Sequence, residues 1–126
     1  MSPGRNIYLL LLVLWTGFIF VLTSIPNPPH IGMARHMDKG VHFFIYGVSG
    51  VICALYLKEG GKRNRVILIS TLIFVGLVGG LDEIHQMWIS GRAASFFDWM
   101  ADISGGISGS LAIIFFLHRG LPTGEK

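Results

Sequence analysis

Apolar residues along this chain gather into four long runs separated by short polar turns. The first, Ile7 to Leu22 extended to Ser24, approaches the roughly 17 to 25 residues that cross a hydrocarbon layer at about 1.5 Å per residue. Arg5 supplies a positive start, as in a secretory signal, but the run is long and no A-x-A-like cleavage site follows, so a retained anchor is expected. Ser24, Ile25 and Pro26 end this helix, and Pro28, Pro29 and Gly32 mark a turn or loop. Asp38 and Lys39 open the second run, whose apolar body from Val41 to Leu57 is interrupted by His42 and Tyr46. A basic, glycine-containing turn from Lys58 to Arg65 leads into the third run, Val66 to Leu81, where Gly76, Gly79 and Gly80 would admit a neighbouring helix closely. After Trp88 to Ser95, which contains a Gly91 turn, the fourth run extends from Phe96 to Leu117. Its Gly105 and Gly109 form a G-x-x-x-G pair, with Ser104 and Ser108 beside them, that could pack within one chain or between two in a homo-oligomer. The tail from His118 is short and polar.

This pattern predicts an all-α integral membrane protein: one domain over residues 1–126, a bundle of four transmembrane helices with spans of about 7–24, 39–57, 66–84 and 96–117. Composition agrees, with 52% hydrophobic and 13% charged residues and little chain left for a soluble module. The net charge of +3 would raise the question of nucleic acid, but the basic residues flank the spans rather than interleaving with aromatics. Membrane lipids are the expected partners, and nucleic acid is not. Arg5, Lys58, Lys62, Arg63, Arg65, Arg119 and Lys126 fall on one side of the spans, and Arg35, Lys39 and Arg92 on the other. The charge bias therefore predicts both termini in the cytoplasm. The single cysteine, Cys53, lies in an apolar run and reads as a packing residue.

The polar residues gather at one end of the bundle. Residues 81–102 hold four of the seven carboxylates, and this topology directs Asp38, His42, Asp82, Glu83, His85, Gln86, Arg92, Asp98 and Asp102 toward the same outer face. Charge at mid-bilayer costs about 2.5 to 3.5 kcal/mol on insertion scales, so such residues are rare and usually paired or functional. Asp38, His42 and Tyr46 recur at i, i+4 and i+8 and share a helix face. Asp38 reads as a helix cap, and Ser95 with Asp98 as a capping box. Asp82 and Glu83 lie where the helix dipole disfavours negative charge and need partners, with Lys39 and Arg92 the nearest cations by topology. Asp102 sits about 10 Å beyond Ser95, too deep for capping. His42 and His85 could act as general acid and base with Asp82 and Glu83, or join the carboxylates around a divalent metal, or hold helices together. No tight H-x-x-x-H or E-x-x-H spacing is present, so no cofactor is predicted and a metal is the alternative. Ser or Cys nucleophile constellations and P-loops are also missing, and Tyr8, Trp15, Trp88 and Trp99 read as interfacial or packing aromatics.

The run Asp38-Lys39-Gly40-Val41-His42-Phe43-Phe44-Ile45-Tyr46, the string Asp82-Glu83-Ile84-His85-Gln86, then Gly91-Arg92 and Asp98, Asp102, Gly105 and Gly109 together resemble the VanZ-like membrane proteins. The resemblance covers Asp38 to Gly109 and implies a polytopic helical protein of the bacterial envelope. The family is named for a member associated with resistance to the glycopeptide teicoplanin, a phenotype of some relatives rather than a chemistry readable in these residues. The chain departs at Asp102, where many relatives carry asparagine.

Two function classes follow. The first is an outward-facing pocket for a lipid headgroup or cell-wall precursor, in which Asp38, Lys39, Tyr46, Gln86, Arg92, Asp98 and Asp102 bind and Lys39 and Arg92 meet phosphate or carboxylate. The second is an intramembrane hydrolase or transferase on a lipid-linked substrate, with His42, Asp82, Glu83 and His85 as its acid-base or metal-assisted machinery. A purely structural latch is the third and simplest role for the cluster, and enzyme activity stays open at this stage.

Overall fold

The computed structural model describes residues 3–27 and 35–119, so the Pro28, Pro29 and Gly32 turn and the end of the polar tail lie outside the described residues. Four helices account for most of it: α1 Pro3–Thr23, α2 Arg35–Glu59, α3 Asn64–Gln86 and α4 Phe96–Arg119. Each is long and apolar enough to span a bilayer, which makes this an all-α, four-span membrane protein. Large apolar side chains such as Val21, Phe44, Leu77 and Phe116 are exposed on the outside of the bundle. That arrangement would be unstable in water but is ordinary in lipid, where an apolar surface has nothing to avoid.

Helix ends are set by local chemistry. Pro3 begins α1, where a missing N–H costs nothing. At the end of α2, Gly61 has φ +70° and donates its N–H to the Lys58 carbonyl, while the Lys62 N–H reaches Leu57. This is a Schellman closure, which needs a residue tolerant of the left-handed conformation. Between α3 and α4, Gly91 has φ +77°, and a Cβ there would collide with the Asn27 side chain. Asn27 donates its N–H to the Ser90 carbonyl at 2.8 Å, docking the end of α1 onto this loop.

Packing among the helices relies on missing side chains. Helices α2 and α4 run parallel and make the most extensive contact of the bundle. A Cβ on Gly105 would strike the Phe43 carbonyl oxygen, one on Gly109 that of Gly47, and one on Gly50 that of Gly106. The G-x-x-x-G pair of α4 is therefore used within the chain, against the Gly47 and Gly50 side of α2. Helix α3 runs antiparallel to α4, with Gly79 facing Asp102 and Val75 pressed on Gly106. Gly76 and Gly80 admit less: nothing lies within 4 Å of a Cβ on Gly76, whose carbonyl instead accepts the Trp99 indole N–H at 2.9 Å.

Helix α1 leans on α2, with Trp15 donating to the Ile45 carbonyl at 3.1 Å and Arg5 to the Tyr56 hydroxyl at 3.1 Å. The apolar core is small, formed by Ile19, Tyr46 and Val75 with Trp15 and Phe74 against them. Trp15 and Trp99 are thus packing residues, Trp88 is exposed, and Cys53 is buried without a disulfide.

Backbone contact at the glycines makes a sharp prediction. Gly105→Ala should lower stability by about 1–3 kcal/mol through overpacking, whereas Gly17→Ala, in open space, should stay within about 0.5 kcal/mol. Thermal unfolding of both variants in the same micelles checks this.

Candidate functional site

The register of the glycine contact also aligns the polar residues. With α2 and α4 parallel, Lys39 meets Asp98 and, one turn deeper, His42 meets Asp102. Helix α3 arrives from the other direction and ends among them, contributing Asp82, Glu83 and Gln86. His42, Tyr46, Asp82, Glu83, Gln86, Asp98 and Asp102 are all buried, so each depends on protein partners.

Asp82 is fully enclosed and is held by neutral donors. The Thr23 hydroxyl donates to its Oδ1 at 2.6 Å, while Gln86 Nε2 and the Tyr46 hydroxyl donate to Oδ2 at 3.3 and 3.4 Å. Lys39 Nζ pairs with Asp98 Oδ1 at 3.1 Å. At the start of α4 the Ser95 hydroxyl accepts the Asp98 N–H at 3.3 Å, as in a capping box. The return bond of that box comes from another helix: Glu83 Oε2 accepts the Ser95 N–H at 2.7 Å. Asp98 is thereby left free to hold Lys39.

His42 sits between the carboxylates. Its Nδ1 lies 2.8 Å from Asp102 Oδ1 and 3.8 Å from Glu83 Oε1. With Asp102 ionised, Nδ1–H is the donor and Nε2 is the ring nitrogen left over, an arrangement that orients an imidazole for proton transfer. Two buried carboxylate oxygens of this cluster, Glu83 Oε1 and Asp102 Oδ2, have no hydrogen-bond partner among the described residues. Among the described residues, two sets of three metal-ligand types have atoms within 4.8 Å of one another: Asp38, His42 and Asp98, and His42, Glu83 and Asp102.

A cavity of about 250 Å³ opens beside this cluster. Apolar walls come from Ile19, Leu22, Val41 and Ile45 of α1 and α2. Its polar lining is buried Thr23, His42, Tyr46 and Asp82 together with exposed Asp38 and half-buried Arg92. The Asp38, His42 and Tyr46 face of α2 therefore does line one space, as the spacing of those residues predicts.

Comparison with known proteins decides the family. The profile of the VanZ/LLP1 family matches residues 5–117, nearly the whole chain. The chain belongs to the VanZ/LLP1 family. No curated protein and no solved structure matches it.

Within this VanZ/LLP1 chain, the residues singled out from sequence separate into a central group and a flank. His42, Glu83 and Asp102 are central, with Tyr46, Asp82 and Gln86 beside them and Asp38, Lys39 and Asp98 toward the end of α2 and α4. His85 does not join them. Its Nε2 lies 2.8 Å from the Ser24 hydroxyl and its ring packs on Phe20, on the α1 side of α3. Since the Ser24 hydroxyl hydrogen is directed at the Phe20 carbonyl, His85 is the donor in that pair.

Arg92 also departs from expectation. Instead of countering Asp82 or Glu83, it donates through Nε to the Ile25 carbonyl at 3.0 Å and through Nη2 to that of Leu22 at 3.3 Å. It closes the C-terminal end of α1, where a cation opposes the helix dipole. Lys39 likewise serves Asp98 rather than Asp82 or Glu83. Asp38 lies inside the first turn of α2 and is not its cap, because the helix begins at Arg35. Thr23 is the residue that sequence reasoning missed: a hydroxyl at the end of an apolar run carries no signal of the carboxylate it meets 59 positions later.

Thr23→Val should cost about 1–2 kcal/mol, because it strips a buried carboxylate of its shortest hydrogen bond, whereas Thr23→Ser should be near wild type. Thermal unfolding of the two variants in micelles measures the difference.

Proposed function

We propose that this protein binds the polar head of a lipid or lipid-linked cell-envelope precursor in the outer half of the bacterial cytoplasmic membrane. The cavity carries the reading. Its lining joins apolar side chains to buried hydroxyl, imidazole and carboxylate groups and to the more exposed Asp38 and Arg92. About 250 Å³ suits a headgroup rather than a whole lipid, and small-molecule sites are typically apolar clefts with a few convergent polar groups. Arg92 spends two of its N–H groups on α1 and keeps others for a phosphate or carboxylate. Asp38 makes no hydrogen bond among the described residues and is available to an ammonium or hydroxyl group. Arg92 is the cation for that phosphate or carboxylate, since Lys39 is engaged with Asp98.

The excess of Lys and Arg at the opposite end of the spans supports both termini in the cytoplasm and the cavity facing outward. In a Cys53→Ser background, a cysteine introduced at Ser90 should react with a membrane-impermeant maleimide on intact cells, and one at Lys62 only after lysis. The reverse pattern would turn the pocket to the cytoplasm.

A second reading, acid-base hydrolysis or transfer on a lipid-linked substrate, is favoured by one observation. Asp102 fixes Nδ1 of His42, and His42 lines the cavity, the geometry of an imidazole prepared to exchange a proton. Glycopeptide resistance remains an association of the family name and adds nothing to either reading.

Native mass spectrometry of protein released from its own membranes separates the two. For the binding reading, wild type should carry a lipid adduct whose affinity falls about tenfold in an Asp38→Asn, Arg92→Gln double variant, a loss of about 1.4 kcal/mol. Unchanged lipid retention would sink it. Turnover of lipid-linked substrates by wild type but not by His42→Gln would move the assignment to the enzyme.

A further inference from the structure

We infer that His42, Glu83 and Asp102 form a binding site for one divalent first-row transition-metal ion, enclosed between α2, α3 and α4. His42 lines the cavity but Glu83 and Asp102 do not, so the site does not depend on what fills the cavity. Glu83 Oε1 belongs to a residue only 6% exposed and has no hydrogen-bond partner among the described residues. The other oxygen of that carboxylate is fixed by the Ser95 N–H at 2.7 Å, so the side chain is held with Oε1 directed at His42 Nδ1, 3.8 Å away.

That distance separates two explanations. A proton on Oε1 would find no acceptor there, because 3.8 Å is beyond hydrogen-bond range. An ion placed between the two atoms, bonded at about 2.0–2.2 Å to each, spans such a gap. Asp102 completes the set: its Oδ1 lies 2.8 Å from the same nitrogen, and ligand atoms of all three residues lie within 4.8 Å of one another, so an ion would take the place of the Nδ1 proton that His42 otherwise gives to Asp102, releasing that proton to solvent. Its Oδ2 is also buried without a partner, against Gly79, where a Cβ would come within 2.9 Å.

The charge balance points the same way. Lys39 is committed to Asp98, Arg92 to carbonyls of α1, and Asp82 has only neutral donors. Among the described residues, His42 is then the nearest group able to carry positive charge beside Glu83 and Asp102, in a membrane interior where unpaired charge is expensive. One imidazole and two carboxylates suit Zn2+ or Mn2+. Ca2+ asks for six to eight oxygens, and Mg2+ retains most of its waters. Metal on Nδ1 would fix Nε2 as the N–H of His42, converting that ring nitrogen from a base to a donor backed by positive charge.

The test uses the full chain, purified in detergent and stripped with a chelator. Titration with Zn2+ and Mn2+, followed by native mass spectrometry and elemental analysis, should give one ion per chain, bound at least tenfold more tightly than Mg2+. A Glu83→Gln, Asp102→Asn double variant should lose affinity about a hundredfold, while Asp38→Asn should retain it. Absence of a stoichiometric ion in wild type, or undiminished binding in the double variant, overturns the proposal. So does loss of the ion in Asp38→Asn, which would move it to the Asp38, His42 and Asp98 group. Should the double variant fail to fold, pulsed EPR of the Mn2+-loaded wild type decides: an imidazole nitrogen coupling is expected, and its absence overturns the site. Lipid adducts appear separately in the same mass spectra, so failure of the metal site and failure of the headgroup reading are distinguishable.

Discussion

Hydrocarbon supplies no hydrogen bonds, and the structure turns on that constraint at the end of α3. Asp82 and Glu83 lie at the C-terminal end of an apolar helix, where both the dipole and the lipid oppose negative charge. Each of the other three helices contributes to their stabilisation. Helix α1 brings the Thr23 hydroxyl to Asp82, α2 brings Tyr46 and His42, and the N-terminal cap of α4 gives its Ser95 N–H to Glu83. The two carboxylates therefore act as a junction where four helix segments meet.

The junction is possible because α2 and α4 touch backbone to backbone. With no side chains at Gly50, Gly105 and Gly109, the two helices approach closely enough for residues one turn apart to form successive cross-pairs, Lys39 with Asp98 and His42 with Asp102. Bulkier residues would push the helices apart and leave the ionisable groups stranded. Apolar burial contributes little to this arrangement, since the core is small and the outer surface of the bundle faces lipid. Close packing and polar pairing hold the helices together, which is the usual balance in a membrane.

Helix ends are satisfied by one another. Arg92 closes the carbonyls of α1, Asn27 bonds back to the 87–95 loop, and Glu83 replaces the acidic residue that would ordinarily complete the α4 capping box. Each exchange releases a group for another task. Asp98 is freed for Lys39, and one oxygen of Glu83 is freed toward His42. The cavity beside them is lined by α1 and α2, together with Asp82 of α3 and Arg92 of the loop that follows it.

The four long apolar helices and the gathering of ionisable groups at one end were legible in the sequence. Long apolar runs have one stable disposition in lipid, and each helix satisfies its own backbone locally. The shared face of Asp38, His42 and Tyr46 was legible for the same reason, since helical periodicity is a local property. Partner choice was not. Lys39 and Arg92 were equally plausible counter-ions for Asp82 and Glu83 by chain topology, and neither takes that role. His85, adjacent in sequence to the cluster, turns toward Ser24 because neighbouring positions on a helix point in different directions. Thr23 carried no signal at all, and the use of the G-x-x-x-G face within the chain required knowing which helix it met. Pairings between helices depend on their relative rotation and register, which are set by packing across the whole bundle. Sequence determined which groups needed partners, and only the tertiary structure decided which partners they received.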